Sequence, residues 1–213
     1  MITTIFFDFD GVICDTEPTY FSYKLKKMAD MGFPVTKEFL LARIGESFRV
    51  MFPREFKVDN PEKYIQEYYN DSGKKDIDYK PLLNQEVIQL LEYCKENKIS
   101  CYITSNSNHE HLEKTLKDLN IYHYFNKIYS NEILNVAKPN PLFYTKIVDD
   151  LNLNKDEIIV IEDSFHGISA SIHAGLYTIA KKESFFNIDQ SLADTKIDLL
   201  TEVIDIIKEK NAF

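Results

Sequence analysis

The sequence predicts an α/β fold, a doubly wound parallel sheet with an inserted helical cap domain. Short apolar runs typical of buried strands alternate with segments that carry apolar residues at helical spacing, and this alternation indicates parallel strands joined by helices. Residues 17–79 interrupt the alternation with polar, helix-patterned sequence. We therefore expect residues 1–16 and 80–213 to form a Rossmann-like core and residues 17–79 to form a helical cap.

Five apolar runs predict the strands of the sheet. Runs of this length, bounded by turn-forming residues, are typical of strands buried on both faces of a parallel sheet. They span residues 2–7, 99–104, 127–130, 158–161 and 177–180. Residues 184–196 are polar and fit neither a strand nor a helix pattern.

The segments between these runs predict helices, because their apolar residues recur at spacings of three and four and so share one helix face. Pro141 suits the first turn of one helix, and Gly175 suits the position just after the end of another. The helices are predicted over residues 86–97, 109–119, 141–151, 167–174 and 201–210.

Composition and charge exclude several classes of protein. The net charge is −9, from 25 basic and 34 acidic residues, and the basic residues form no dense cluster, so we expect no nucleic-acid partner. No apolar stretch approaches the roughly 18 residues that a membrane span requires, so we expect no membrane partner. Three dispersed cysteines without a CxxC pair, and an N-terminus without a basic leader, predict reduced thiols and a cytoplasmic location. We expect the chain to act as a monomer.

Polar residues follow the first four predicted strands. In strand order they are Asp8 and Asp10, Ser105 and Asn106, Lys138, and Glu162 and Asp163. Because ligand chemistry in an open α/β sheet gathers outside the carboxyl ends of the strands, we expect these side chains to share one crevice. Transfer of a phosphoryl group requires this combination of carboxylates, neutral donors and an ammonium group.

These residue types predict separate roles around a phosphoryl group. The carboxylate of Asp8 can attack phosphorus, and the second acid, Asp10, can protonate the leaving oxygen and then accept a proton from water. Mg²⁺ prefers carboxylate and carbonyl oxygens, which suits Asp8, the main-chain carbonyl of Asp10, and Asp163. The groups expected to bind the phosphate are Ser105, Asn106 and Lys138.

Each motif by itself also fits an ordinary structural role. The first acids fit an Asp-Gly turn, the residues after the second strand could cap a helix, and Lys138 could be a surface lysine. Glu162 and Asp163 could mark the start of a helix, where acids are favoured. Four unrelated structural roles at four consecutive strand ends would be a greater coincidence than one shared site.

Four segments resemble the motifs of the haloacid dehalogenase superfamily, in the phosphatase and phosphomutase branch that has a helical cap after the first motif. They are DFDGVICDT, TSN, AKPNP and VIEDSFHGISASIHAG, and the resemblance covers nearly the whole chain. It implies that Asp8 is the nucleophile and that Asp10 is the general acid and base. It also implies phosphate binding by Ser105 and Lys138, and Mg²⁺ binding by Asp163, with Glu162 as a direct or outer acidic ligand. True dehalogenases lack the second aspartate, so Asp10 favours phosphoryl chemistry.

The hydrolase and mutase branches differ in residues outside these motifs. Beta-phosphoglucomutases carry a His where this chain has Tyr20, and a cap-loop Arg that holds a second phosphate. Here the loop of residues 43–49 contains Arg43 and Arg49. Arg49 lies one residue later than the arginine of the mutase pattern, and Glu46 would repel a second phosphate. The residues expected to contact the substrate are Thr16, Tyr20, Arg43 and Arg49.

The sequence therefore predicts a Mg²⁺-dependent phosphatase that hydrolyses a small phosphorylated metabolite, a sugar or polyol phosphate, with a phosphosugar mutase as the alternative. A phospho-acceptor signalling domain fits less well. In such a domain the acceptor Asp lies on a middle strand and the acid pair follows the first strand, whereas here the order is reversed. A catalytically inactive binding domain also fits less well, since none of the four motif groups is missing.

Overall fold

The structure is a computed structural model that describes residues 1–43, 48–70, 77–183 and 185–212. The chain divides into two compact units. The first unit consists of Met1–Asp15 and Tyr79–Phe213, and the second is Thr16–Asp78. The first unit contains a sheet flanked by helices, and the second is built from helices.

Six parallel strands, counted over the described residues, form the sheet of the first unit. They are β1 (Thr4–Phe7), β2 (Ser100–Ser105), β3 (Lys127–Ser130), β4 (Ile158–Glu162), β5 (Tyr177–Lys181) and β6 (Thr195–Ile197). Their order in the sheet is β3-β2-β1-β4-β5-β6, and every neighbouring pair is parallel. The strand order reverses beside β1, and open α/β sheets bind ligands at such a point. The predicted doubly wound parallel sheet is confirmed.

Ten α-helices are found in the described part of the chain. They are α1 (Glu17–Asp30), α2 (Lys37–Leu41), α3 (Phe48–Glu55), α4 (Pro61–Asn70), α5 (Glu86–Glu96), α6 (His109–Asp118), α7 (Asn131–Leu134), α8 (Leu142–Leu151), α9 (Phe165–His173) and α10 (Glu202–Asn211). The five helices that apolar spacing predicts in the first unit are present, and none of their ends differs from the prediction by more than two residues. Within the same described ranges, no helix has both the length and the apolar character needed to cross a bilayer.

Two short elements of the first unit carry no sequence signal. Strand β6 has three residues and pairs with β5 at the edge of the sheet, where the polar segment that no pattern assigned ends. Helix α7 has four residues and begins where Ser130 Oγ accepts a hydrogen bond from the Ile133 N–H at 3.3 Å. Elements this short contain too few residues to display a period, so tertiary contacts decide their formation.

The centre of the sheet is apolar on both faces. Phe6 packs edge to face against Tyr102, with ring centroids 5.8 Å apart, and stacks with Tyr144 at 6.3 Å. Phe7 makes an edge-to-face contact with Phe125 at 5.9 Å. A strand buried on both faces needs a continuous apolar run, which explains the sequence of β1.

The second unit has an aromatic core of its own. Phe33 packs edge to face against Phe52 and Tyr64, each with ring centroids 5.0 Å apart, and Phe48 stacks on Tyr68 at 3.8 Å. Such pairs add to the free energy gained by burying apolar surface. Over residues 16–43, 48–70 and 77–78 the unit contains helices and no strand. Its role as a cap over the site remains a prediction.

Candidate active site

The first strand ends in a turn that carries both predicted catalytic acids. The Asp8 N–H donates to the Ile161 carbonyl at 2.9 Å, so the contact of β1 with β4 extends one residue beyond the strand. The chain then turns at Gly11, whose φ of +77° favours glycine. The Gly11 N–H donates to the Cys14 carbonyl at 2.7 Å and closes the turn. Asp8 and Asp10 therefore lie at the carboxyl edge of the sheet.

The turn is also bonded to the segment that precedes α5. Asn84 donates from Nδ2 to the Val12 carbonyl at 2.6 Å and from its main-chain N–H to the Ile13 carbonyl at 3.0 Å. The Asp15 N–H donates to the Leu82 carbonyl at 2.8 Å. These three bonds hold the main chain of the turn against that segment.

Lys138 is a buried lysine whose ammonium group contacts the ends of three strands. Its Nζ donates to the Thr104 carbonyl in β2 at 2.7 Å, and it forms an ion pair with Glu162 at the end of β4. It also lies 3.2 Å from Asp8 Oδ1, just beyond β1. Its side chain is 3% exposed, so Lys138 is not a surface lysine.

Glu162 is fully buried and surrounded by donors. Its Oε1 accepts hydrogen bonds from Lys138 and from the Tyr144 hydroxyl, the latter at 3.0 Å, and its Oε2 accepts one from Ser164 Oγ at 3.2 Å. A Cβ on Gly167 would lie 2.0 Å from the Glu162 carboxylate, so this position requires glycine. The contacts show Glu162 holding Lys138 in place, while direct metal binding by Glu162 remains a prediction.

Ser107 orients the second acid. Its Oγ donates to Asp10 Oδ2 at 2.7 Å, and its N–H donates to Ser105 Oγ at 3.1 Å. The Ser105 hydroxyl keeps its own hydrogen to donate. The Thr104 hydroxyl instead donates to the Phe7 carbonyl at 3.2 Å inside the sheet. This difference favours Ser105 over Thr104 as the phosphate-binding hydroxyl.

Asn106 binds the main chain of Lys138 with both of its amide atoms. Its Oδ1 accepts from the Lys138 N–H at 3.0 Å, and its Nδ2 donates to the Lys138 carbonyl at 3.1 Å. This reciprocal pair joins the loop after β2 to the segment that carries the lysine. In the structure the amide therefore positions Lys138, and direct phosphate binding by Asn106 remains a prediction.

Asp163 lies against the turn that follows β1. A Cβ on Gly11 would be 1.8 Å from Asp163 Oδ2, so the carboxylate fills space that a larger residue would need. Asp163 is buried, with 3% of its surface exposed. Close contact with a glycine in a left-handed conformation thus places this acid beside Asp8 and Asp10.

Three carboxylates are suitably placed to hold a divalent cation. One oxygen from each of Asp8, Glu162 and Asp163 lies within 4.8 Å of the others. Asp8 Oδ1 has no hydrogen-bond partner among the described residues, because the contact with Lys138 at 3.2 Å is an ion pair without hydrogen-bond geometry. A buried carboxylate oxygen is costly without a further partner, and Mg²⁺ prefers such oxygens. The donor set fits Mg²⁺, whereas the predicted contribution of Asp10 stays untested.

Burial and charge determine the protonation of the site. Burial, and then the charge of Glu162, raises the pKa of Asp8 well above its ordinary value. Burial opposes the charged form of Lys138, but Asp8 and Glu162 more than offset this, so the pKa of Lys138 lies well above its usual range. Burial, followed by the charge of Asp10, raises the pKa of Cys14, so this thiol is neutral and a poor nucleophile.

Two of the predicted substrate contacts lie at the start of α1, in the second unit. Thr16 and Tyr20 are both buried, and the Tyr20 N–H donates to the Thr16 carbonyl at 2.9 Å. The loop of residues 43–49, which the sequence assigns to substrate recognition, is described only in part. Residues 44–47, which include Glu46, lie outside the described residues.

The two predicted substrate-binding arginines are paired within the second unit. Arg43 donates to Glu55 Oε2 at 2.9 Å and lies over the Phe39 ring, 3.8 Å from its centroid. Arg49 pairs with Glu62 Oε1 at 3.1 Å and is more exposed. Contact of either arginine with a substrate remains a prediction.

Sequence reasoning assigned no role to several residues that support the site. Ser107 directly follows the TSN motif and Ser164 lies within the fourth motif, and their hydroxyls offered a weak signal. Tyr144 lies on the apolar face of α8, where a phenol needs a hydrogen-bond partner, and its partner is Glu162. The positive φ of Gly11 favours glycine, and the position of the Asp163 carboxylate adds to that preference, whereas at Gly167 the preference follows from the position of the Glu162 carboxylate.

Comparison with known proteins identifies relatives along most of the chain. A family model described as haloacid dehalogenase-like hydrolase matches residues 5–181. A phosphorylated carbohydrates phosphatase of Thermotoga maritima is 29% identical over 211 residues, which cover 96% of this chain and 93% of that protein. Hexitol phosphatase B of Escherichia coli is 26% identical over 210 residues, which cover 95% of this chain and 94% of that protein.

A solved structure shares the fold. Beta-phosphoglucomutase from Clostridium difficile superposes with a TM-score of 0.78, and the match covers 99% of this chain and 97% of that one. The two sequences are 24% identical in this alignment, so the similarity supports the architecture and not the reaction.

Gly11→Ala is expected to weaken Mg²⁺ binding about 10- to 100-fold, because the new Cβ would displace Asp163. Isothermal titration calorimetry of the purified protein with MgCl₂ measures the change. Gly32→Ala is the matched control, since Gly32 also has a positive φ, of +85°, but has no atom within 4 Å of a built Cβ. An equal loss of affinity in both variants would contradict the assignment.

Proposed function

The chain belongs to the haloacid dehalogenase-like hydrolases, and from this membership we propose that it is a Mg²⁺-dependent phosphatase that forms a phosphoaspartate at Asp8. The observation that carries the proposal is the buried group of Asp8, Lys138 and Glu162 at the carboxyl ends of neighbouring strands, beside an oriented Asp10. The relatives named as phosphatases support the hydrolase class.

In the proposed first step Asp8 acts as the nucleophile. One of its carboxylate oxygens forms a bond to phosphorus while the bond from phosphorus to the ester oxygen of the substrate breaks. Asp10, held by Ser107, gives its proton to that oxygen, which leaves as an alcohol. Lys138 stabilises the negative charge on the phosphoryl oxygens.

In the second step a water molecule hydrolyses the phosphoaspartate. The water oxygen forms a bond to phosphorus as Asp10, now a carboxylate, accepts a proton from the water. The bond between phosphorus and the Asp8 oxygen breaks, which releases inorganic phosphate and restores the Asp8 carboxylate. Asp10 is then protonated for the next turnover.

Asp8 and Asp163 are the residues that we propose hold Mg²⁺, with Glu162 and the main-chain carbonyl of Asp10 as further candidate ligands. When bound, the cation supplies positive charge that neutralises the substrate phosphate and the nucleophile. This charge matters in the present site because Asp8 and Glu162 share the single charge of Lys138.

We propose a sugar or polyol phosphate as the substrate. The names of two relatives, a phosphorylated carbohydrates phosphatase and a hexitol phosphatase, support this class. A mutase must also hold a second phosphate, and the two arginines considered for that task are already paired with Glu55 and Glu62. Paired arginines offer less charge to a second phosphate, so hydrolysis is favoured over transfer.

Asp8→Asn should reduce phosphate release from sugar phosphates by about 10³-fold or more, because the amide cannot act as the nucleophile. A colorimetric assay of inorganic phosphate measures the rate, and circular dichroism verifies folding. Asp118→Asn, at a side chain that is 60% exposed, is the control and should retain full activity. Substantial turnover by folded Asp8→Asn would refute the role of Asp8.

Ser107→Ala should lower kcat/KM for a sugar phosphate about tenfold, because this ratio reports the steps up to release of the alcohol and Asp10 loses the hydrogen bond that orients it for that proton transfer. The loss should be much smaller for p-nitrophenyl phosphate, whose leaving group needs no proton. Steady-state kinetics with both substrates provide the comparison. Equal losses for the two substrates would argue against an effect through Asp10.

Incubation with Mg²⁺, β-glucose 1-phosphate and a trace of the 1,6-bisphosphate separates hydrolase from mutase. We expect the ³¹P NMR spectrum to show inorganic phosphate as the growing product, because Arg43 and Arg49, the two arginines considered for a second phosphate, are paired with Glu55 and Glu62. Glucose 6-phosphate growing faster than inorganic phosphate would establish the mutase alternative.

A further inference from the structure

The segment between β5 and β6 contains a buried polar side chain that the proposed mechanism does not use. Gln190 is 6% exposed, whereas the other described residues of the range 182–194 are exposed or partly exposed. Burying an amide is costly unless hydrogen bonds compensate. The partners of Gln190 therefore indicate why it is buried.

Gln190 links the ends of two neighbouring strands. Its Nε2 donates to the main-chain carbonyls of Asp163 and Lys181, at 2.6 and 2.7 Å. An amide nitrogen has two hydrogens, so this pair of bonds uses both. The last paired residues of β4 and β5 are Glu162 and Ala180, so the side chain adds one link just beyond the end of the ladder.

Gln190 thus binds the main chain of Asp163, which belongs to the acidic cluster of Asp8, Glu162 and Asp163. The Asp163 carboxylate lies against Gly11, and one of its oxygens lies within 4.8 Å of ligand atoms of Asp8 and Glu162. A hydrogen bond to the Asp163 carbonyl fixes the peptide plane that follows this residue. Fixing that plane limits the directions in which the carboxylate can point.

We infer that Gln190 is a positioning residue for Asp163 and, through it, for the divalent cation. The inference rests on the proposed function, because it takes Asp163 as a ligand of Mg²⁺. Without the amide, the Asp163 carbonyl loses a donor at the end of β4. Loss of a partner that orients a metal ligand typically weakens metal affinity about 10- to 100-fold.

Gln190→Leu and Gln190→Met both remove the two donors while keeping a side chain of similar size. Calorimetric titration with MgCl₂ in the absence of substrate should show a dissociation constant for Mg²⁺ raised about tenfold in each variant. In assays of phosphate release, the Mg²⁺ concentration needed for half-maximal rate should rise, and kcat should recover at saturating Mg²⁺. A purely structural role would lower stability without changing Mg²⁺ affinity.

Thr178→Val is the matched control for lost buried hydrogen bonds. Thr178 is buried in β5, and its hydroxyl contacts Ser171 Oγ at 2.6 Å, outside the acidic cluster. Its urea midpoint should fall while its affinity for Mg²⁺ stays unchanged.

The outcomes separate the inference from the proposed function. Wild-type affinity for Mg²⁺ in either folded Gln190 variant, or an equal loss in Thr178→Val, would overturn the inference and leave the phosphatase proposal intact. A wild-type protein that binds no Mg²⁺ would overturn both.

Discussion

The arrangement of the site depends on one buried ammonium group, that of Lys138. Moving a charge out of water costs several kcal/mol, and the cost is recovered only when opposite charges and acceptors surround the group. Here a carbonyl of β2, the Asp8 carboxylate beyond β1 and the Glu162 carboxylate of β4 provide that environment. One side chain thus joins three strand ends. Two acidic groups face this one ammonium group, which suits the site to a further cation.

Direct hydrogen bonds from neighbouring residues hold Lys138 and its partner Glu162 in place. Asn106 binds the main chain of the lysine, and Tyr144 and Ser164 bind the acid that pairs with it. Two glycines allow the carboxylates of Asp163 and Glu162 to approach the main chain more closely than any other residue would permit. Such support keeps reacting groups in place, and electrostatic stabilisation of a phosphoryl group depends on donors that are already oriented.

The second unit, Thr16–Asp78, is compact by itself. It has an aromatic core of its own, and its arginines are engaged with acids of the same unit. Related phosphatases and mutases share the fold of the whole chain, so the reaction must be argued from the site itself.

Sequence patterns alone predict five strands of the parallel sheet, five helices of the first unit and the order of the acids, because buried parallel strands need apolar runs and their carboxyl ends converge. Strand β6 and the hydrogen bonds from Ser107 to Asp10 and from Gln190 to Asp163 and Lys181 are visible only in the tertiary structure. Residues 107 and 10 are 97 positions apart, and residues 190 and 163 are 27 apart. Local periodicity extends over a few turns or one strand, so contacts across such separations arise only when the sheet brings the strand ends together.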